Sequence, residues 1–252
     1  GAAFLSACAA YTVGAGLVQI YTASENRLAL QELLPEAIIS CYDSYDDSQL
    51  SHLLDWADVV CIGCGLGMGQ ISEKILKNVL KNVSCPCVID ADGLNLLSRN
   101  IELLNQCCAP VILTPHMKEM SRLTGWSIDT IMEDRFQALD QIIKQSGPDT
   151  KSSIICVLKD SRTVVAQTNR QRFVNLAGNN SMAKGGSGDV LAGTIAGLLA
   201  QHMAPFEATT VGVFLHACGG DEAKKSKGSY SVLARDLIQG MADAMKNAKE
   251  CR

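Results

Sequence analysis

Short, uninterrupted runs of apolar and β-branched residues alternate along this chain with amphipathic stretches of helical period, and that alternation restricts the fold more than any other feature. Residues 57–62 precede a helical pattern over 71–80, residues 86–90 precede 93–97, and residues 111–114 precede 118–123. A strand that is apolar at every position must be covered on both faces, and parallel strands need a crossover between them. The pattern therefore predicts an α/β fold with a central, mostly parallel sheet and helices on both faces. Residues 128–144 read as one long amphipathic helix. Beyond them, 154–158, 163–166 and 172–176 are separated by short polar turns, which predicts hairpin strands on the sheet edge. Residues 190–200, 205–224 and 233–246 read as three closing helices.

The chain opens on small apolar residues, 1–13, which read as a buried helix closed by Gly14-Ala15-Gly16 before a short strand over 17–22. A strand and a glycine turn are expected ahead of such a helix, so the sequence reads as one domain, 1–252, that lacks its opening strand. A length of 252 residues and 26.9 kDa suits one large core. There is no internal repeat, low-complexity tract or interdomain linker.

A net charge of −4 and a pI near 5.6 argue against a nucleic-acid partner, because a phosphate backbone needs a basic surface. Any phosphate must be held locally. Without a run of about eighteen apolar residues, no membrane span is expected. The eleven cysteines are odd in number and poorly spaced for bridges, as in Cys107-Cys108 and Cys85-Pro86-Cys87; with no signal peptide in view they read as reduced thiols in the cytosol. Cys61-Ile62-Gly63-Cys64 has redox or metal spacing but no second pair, and reads as two small buried hydrophobes.

The strongest chemical signal is the stretch Asn175-Leu176-Ala177-Gly178-Asn179-Asn180-Ser181-Met182-Ala183-Lys184-Gly185-Gly186-Ser187-Gly188-Asp189, which leads directly into an apolar helix. Glycines let successive backbone N–H groups turn inward, and the helix adds the positive end of its dipole, so the loop forms an anion hole. Asp189 suits a helix cap, yet a carboxylate beside an anion hole can also take the proton of an attacking hydroxyl.

This loop resembles the anion-hole motif of ribokinase-like enzymes, and its longer form, from Gly178-Asn179 through Met182-Ala183, resembles the ADP-dependent NAD(P)H-hydrate dehydratases. Val60-Cys61-Ile62-Gly63-Cys64-Gly65-Leu66-Gly67 is similar to that family's substrate-facing glycine turn. Ile89-Asp90-Ala91-Asp92-Gly93-Leu94-Asn95 is similar to its strand-end acidic signature, placed where open α/β sheets bind ligands. Thr114-Pro115-His116-Met117-Lys118-Glu119 and Val157-Leu158-Lys159-Asp160-Ser161-Arg162-Thr163 are similar to its Thr-Pro-His-x-x-Glu segment and its nucleotide-binding hairpin. The sequence departs from the family in having Asp160 where glycine is common and Met117-Lys118 where Pro-Gly is frequent.

The resemblance implies a ribokinase-like fold and a lyase that repairs hydrated NADH and NADPH. ADP is the co-substrate and Mg²⁺ the cofactor. By the same resemblance Asp189 is the base; Ala2, Gly65, His116 and Asp189 contact the substrate. Lys159, Asp160, Ser161, Arg162 and Thr163 hold the nucleotide, while Gly185, Gly186, Ser187 and Gly188 form the anion hole. Glu119 acts on the metal through water. A homo-oligomer and an epimerase, fused or separate, are the implied partners. On the residues alone, other readings stay open beside it: a kinase of a thiazole or pyrimidine alcohol, an ATP-dependent version of the dehydratase, a nucleotide-binding sensor that has lost catalysis, and a structural or partner domain, half of a larger polypeptide that also carries an epimerase.

Overall fold

A computed structural model describes residues 1–144, 153–168 and 171–250. The chain divides into two compact units, one made of Gly1–Asp43 with Asn175–Arg252, the other of Ser44–Val174.

The first unit opens with α1 (Ala2–Thr12), β1 (Gln19–Ala23), α2 (Arg27–Leu33) and β2 (Ile38–Tyr42). β1 and β2 pair in parallel from Gln19↔Ile38 to Ala23↔Tyr42. The chain then builds the second unit. Its elements are α3 (Asp47–Trp56), β3 (Val60–Ile62), α4 (Gln70–Asn82), β4 (Cys87–Ile89), α5 (Ala91–Leu97), β5 (Val111–Leu113), α6 (Met117–Thr124), α7 (Ile128–Glu133), α8 (Arg135–Ile143), β6 (Ile154–Leu158), β7 (Val164–Gln167) and β8 (Arg172–Val174). Back in the first unit follow α9 (Ser187–Ala200), α10 (Pro205–Ser231) and α11 (Ala234–Glu250).

The second unit is organised by a six-stranded sheet in the order β3-β4-β5-β6-β7-β8. β3 to β6 run parallel, β7 is antiparallel to β6, and β8 is antiparallel to β7, the expected edge hairpin. Successive strand residues point to opposite faces, so the complete burial of Cys87, Val88 and Ile89, and of Val111, Ile112 and Leu113, means that both faces are covered. On the terminal strand β3 this cover is incomplete. Cys61 is exposed and Cys64 half-buried, which corrects the expectation that this pair is buried. The ten described cysteines form no disulfides.

Residues 128–144 form two helices rather than one. Asp134 adopts an extended conformation between them (φ −144°, ψ 91°), and its side chain accepts a hydrogen bond from the Gln137 N–H at 2.9 Å, capping α8. A short acidic side chain that competes for backbone N–H groups ends one helix and starts the next, while the apolar rhythm runs through the break in Ile131, Ala138, Leu139 and Ile142. Periodicity also leaves 24–56 unassigned, although α2, β2 and α3 lie there. α3 starts where Asp46 accepts from the Ser48 N–H at 2.8 Å.

In the first unit the alanine-rich α1 lies so close to α9 that a Cβ on Gly193 would fall 1.9 Å from the Ser6 carbonyl oxygen, and one on Gly197 would fall 2.6 Å from that of Ala10. Small residues on both helices permit this approach, which explains why α1 is apolar all round. α9 starts at Ser187, three residues before the expected boundary, because Ser187-Gly188-Asp189 form its first turn. Among the described residues no helix is long and apolar enough to cross a membrane.

Candidate functional site

In the first unit, the glycine loop is built against α10. Gly178, in the left-handed region (φ 94°), donates its N–H to Asp221 Oδ2 at 3.1 Å. Asn179 Nδ2 donates to Asp221 Oδ1 at 2.8 Å and to the Gly220 carbonyl at 3.0 Å, and its Oδ1 accepts from the Ser181 N–H at 3.0 Å. Asn175 is buried; its Nδ2 donates to the Ala177 carbonyl at 3.0 Å, and its Oδ1 has no partner among the described residues. Lys184 Nζ donates to the Tyr230 carbonyl at 3.2 Å.

Gly185 faces open space, and Gly186 takes a left-handed conformation (φ 89°) as the N-cap of α9. The left-handed backbone favours glycine at 186; a Cβ there would meet Leu5 Cδ1 at 2.5 Å, the end of a side chain that can shift. Ser187, Gly188 and Asp189 then occupy the first helical turn, where the dipole favours a bound anion. Ser187 Oγ lies 3.3 Å from Nε2 of the buried His216. Ala2 is the first residue of α1, the helix whose Leu5 touches Gly186.

In the second unit the expected residues gather at the carboxyl ends of the parallel strands. Gly63 (φ 115°) leaves no space for a side chain: a Cβ there would fall 1.8 Å from the Asp90 carbonyl oxygen. Gly67 donates its N–H to Asp92 Oδ2 at 2.8 Å, which locks the turn after β3 to the one after β4. Gly65 is exposed on that turn, again with positive φ (72°).

His116 caps α6. Its Nδ1 accepts from the N–H groups of Lys118 and Glu119 at 3.1 and 3.2 Å, while Glu119 Oε2 accepts from the His116 N–H at 2.8 Å, a reciprocal capping box. With Nδ1 accepting, the neutral ring carries its proton on Nε2, which lies 3.3 Å from Glu119 Oε1. Lys159, just beyond β6, places Nζ 2.6 Å from Oδ1 of the buried Asp90 and 4.0 Å from Glu119 Oε2. Burial raises the Glu119 pKa and the Lys159 charge partly offsets this; burial and the same charge lower that of His116.

The turn after Lys159 is held separately. Thr163 Oγ1 donates to the Asp160 carbonyl at 3.3 Å, Arg135 pairs with the Asp160 carboxylate at 2.8 Å, and Arg135 Nη1 donates to the Arg162 carbonyl at 3.3 Å. Ser161 and Arg162 are exposed at its tip. The structure thus joins His116, Glu119 and Lys159 in one polar cluster and sets Asp160 to Thr163 in an adjoining turn. Sequence reasoning singled out neither Asp90 as a charge partner nor Arg135, His216 and Asp221. Of these, Asp90 alone carried a signal, in its place at a strand end.

Both Glu119 oxygens already face donors, so its donor set fits a carboxylate that accepts from a metal-bound water better than a direct ligand. Mg²⁺ characteristically keeps several of its waters.

A family model described as NAD(P)H-hydrate dehydratase matches residues 1–242. An ADP-dependent (S)-NAD(P)H-hydrate dehydratase of Neisseria meningitidis is 35% identical over 98% of this chain and 81% of its own length. The bifunctional NAD(P)H-hydrate repair enzyme of Moorella thermoacetica is 34% identical over 99% of this chain and 48% of its own; the chain spans about half the length of such bifunctional relatives. An ADP/ATP-dependent NAD(P)H-hydrate dehydratase from Bacillus subtilis, crystallised with ATP/Mg²⁺ and soaked with CoA, superimposes with a TM-score of 0.82 at 28% identity, covering 98% of this chain and 87% of that one. The fold is the ribokinase-like one expected from the sequence. On the family match and the length of the Neisseria alignment, the chain belongs to the NAD(P)H-hydrate dehydratase family.

Proposed function

We propose that the chain is a lyase that returns hydrated NADH and NADPH to the reduced dinucleotides, with ADP as phosphoryl donor and AMP and phosphate as products. The observation that carries this reading is the left-handed Gly186 leading into Ser187-Gly188-Asp189 at the start of α9, in a chain matched to the family over residues 1–242.

The chemistry follows from the residues. Asp189 accepts the proton of the substrate's ring hydroxyl as its oxygen attacks the β-phosphorus of ADP, and AMP leaves. The N–H groups of Gly186, Ser187 and Gly188 meet the charge that develops on the transferred group; donors of this kind are each worth about 3 kcal/mol. The C–O bond then breaks with its electron pair on phosphate, a proton leaves the neighbouring ring carbon, and the ring double bond is restored.

Ala2, Gly65 and His116 contact the hydrated nicotinamide nucleotide. The turn from Lys159 to Thr163 holds the adenine nucleotide, its Asp160 through the pair with Arg135. Glu119 would hold Mg²⁺ through water, and the metal would supply neutralisation of phosphate charge. ATP is the alternative donor, a reading favoured by the ATP/Mg²⁺ with which the Bacillus relative was crystallised. An epimerase for the two hydrate epimers acts alongside, as a fused domain or a separate protein, and the enzyme works as a cytosolic homo-oligomer.

Incubation with hydrated NADH, Mg²⁺ and either ADP or ATP tests the reading. Absorbance at about 340 nm, where reduced nicotinamide absorbs, should return with one AMP formed per NADH when ADP is the donor. Folded protein that restores no absorbance with either nucleotide refutes it, and formation of a stable phosphorylated alcohol points to the simple kinase instead.

A further inference from the structure

The loop that carries Ser187 and Asp189 is held at both ends by one helix. Asp221 and Gly220 of α10 bind its lead-in through Gly178 and Asn179, and His216, one helical turn earlier, reaches its far end at Ser187 Oγ, 3.3 Å away. The spacing between the two helices is fixed as well. A Cβ on Gly212, four residues before His216, would fall 2.8 Å from Ile195 Cγ1, so α9 and α10 are in close contact at Ile195 and Gly212. His216 is 8% exposed. A polar ring at that depth needs hydrogen-bond partners, and Ser187 supplies one.

The direction of that bond decides its use. If Nε2 accepted the hydroxyl proton, Ser187 would present only lone pairs to an anion at the start of α9, which repels it. If Nε2–H donates to Oγ, the hydroxyl keeps its own proton for a phosphoryl oxygen, in line with the helix dipole. We propose that His216 is a positioning residue for phosphoryl transfer: its Nε2–H fixes the Ser187 side chain so that the hydroxyl donates to the transferred group, adding a side-chain donor to the backbone anion hole. No bond to His216 forms or breaks. The ring acts through Ser187 in either its neutral Nε2–H form or its protonated form.

This inference rests on the proposed dehydratase reading for its kinetic arm, so a binding arm accompanies it. The variants are His216→Ala, His216→Gln, Ser187→Ala and the double variant His216→Ala/Ser187→Ala. Loss of an oriented anion-hole donor costs up to 10²–10³-fold, and about tenfold is expected for loss of its orientation alone. The kcat of His216→Ala should fall by about that factor with KM for hydrated NADH little changed. Glutamine, which can present an N–H at similar reach, should recover most of the loss. In the Ser187→Ala background, removal of His216 should cost nothing further.

The same non-additivity should appear in the dissociation constant for inorganic phosphate measured calorimetrically on the full chain, which reports on the loop whether or not the hydrate is the substrate. Equal effects of His216→Ala in both backgrounds, or no effect in either assay, overturn the proposal. A wild-type protein that binds phosphate with this coupling but restores no NADH overturns the dehydratase reading and leaves the His216 assignment standing. Where His216→Ala lowers the melting temperature, comparison of His216→Gln with wild type in both assays decides: Gln at the Ala level counts against the proposal, and Gln near wild type supports it.

Discussion

Alanine substituted for glycine inside a helix is ordinarily stabilising, by about 1 kcal/mol, because glycine loses more backbone entropy on folding. Gly193→Ala should do the reverse. The added Cβ would lie 1.9 Å from the Ser6 carbonyl oxygen and 2.6 Å from both Ser6 C and Cα. Ordinary contacts between carbons are about 3.5–4.0 Å, so α1 and α9 would have to separate by roughly 1.5 Å. All three obstructing atoms belong to the backbone, and no rotamer change relieves them. Overpacking of this kind costs about 1–3 kcal/mol, and a backbone clash belongs at the upper end.

With the propensity gain subtracted, a net loss of about 2 kcal/mol remains, a fall in melting temperature of about 4–8 °C for a chain of this size. Circular dichroism at 222 nm during heating reads it directly. Gly16→Ala is the control, since nothing lies within 4 Å of a Cβ there and its φ is not positive; it should leave the midpoint unchanged or slightly raised. A Gly193→Ala protein that melts at or above wild type would refute the argument that close helix approach selects this glycine.

Asp189→Asn should lower kcat by about 10³-fold or more, with ADP affinity and melting temperature near wild type, as calorimetry and thermal melts can check. Lys159→Met strands the buried Asp90 carboxylate and should cost about 3 kcal/mol in urea unfolding, much of which Asp90→Asn in the same chain should restore. The His116 pKa is lowered in the folded state, so the unfolded chain binds more protons and stability falls as pH drops through 6.5 toward the folded value. Asn also caps helices well, so His116→Asn should flatten the decline in melting temperature between about pH 7 and 5 relative to wild type; parallel curves would count against the assignment.

The parts of the fold legible in the sequence are those that rest on local repetition. Strands buried on both faces, such as Val111–Leu113 and Ile154–Leu158, are apolar at every position and announce a covered parallel sheet. Three boundaries were hidden because one residue acts against the rhythm around it. Asp134 breaks a continuous amphipathic pattern by taking an N–H for itself, Asp46 starts a helix among weakly periodic residues, and Ser187 opens α9 before its apolar face begins. At Cys61 the residue type suggested burial, yet exposure depends on what covers the end of a sheet, which composition does not encode.

At the site the same division recurs, with a physical cause. Glycines whose work is done by the backbone leave a mark, because positive φ disfavours other residues at Gly63 and Gly186 and a backbone oxygen fills the space of a side chain at Gly63. Pairings between distant residues leave no mark of the partner: Lys159 and Asp90 are 69 residues apart, Gly178 and Asp221 43, Ser187 and His216 29. Each partner read alone is an ordinary lysine, aspartate or histidine. Lys159 shows what this changes. Resemblance set it beside the nucleotide, but its ammonium lies 2.6 Å from Asp90 with Glu119 4.0 Å away, so the structure uses its charge to offset two buried carboxylates. A nucleotide at the Lys159 to Thr163 turn would therefore meet an ammonium already paired with Asp90, and what this lysine contributes to phosphate binding should change in Asp90→Asn.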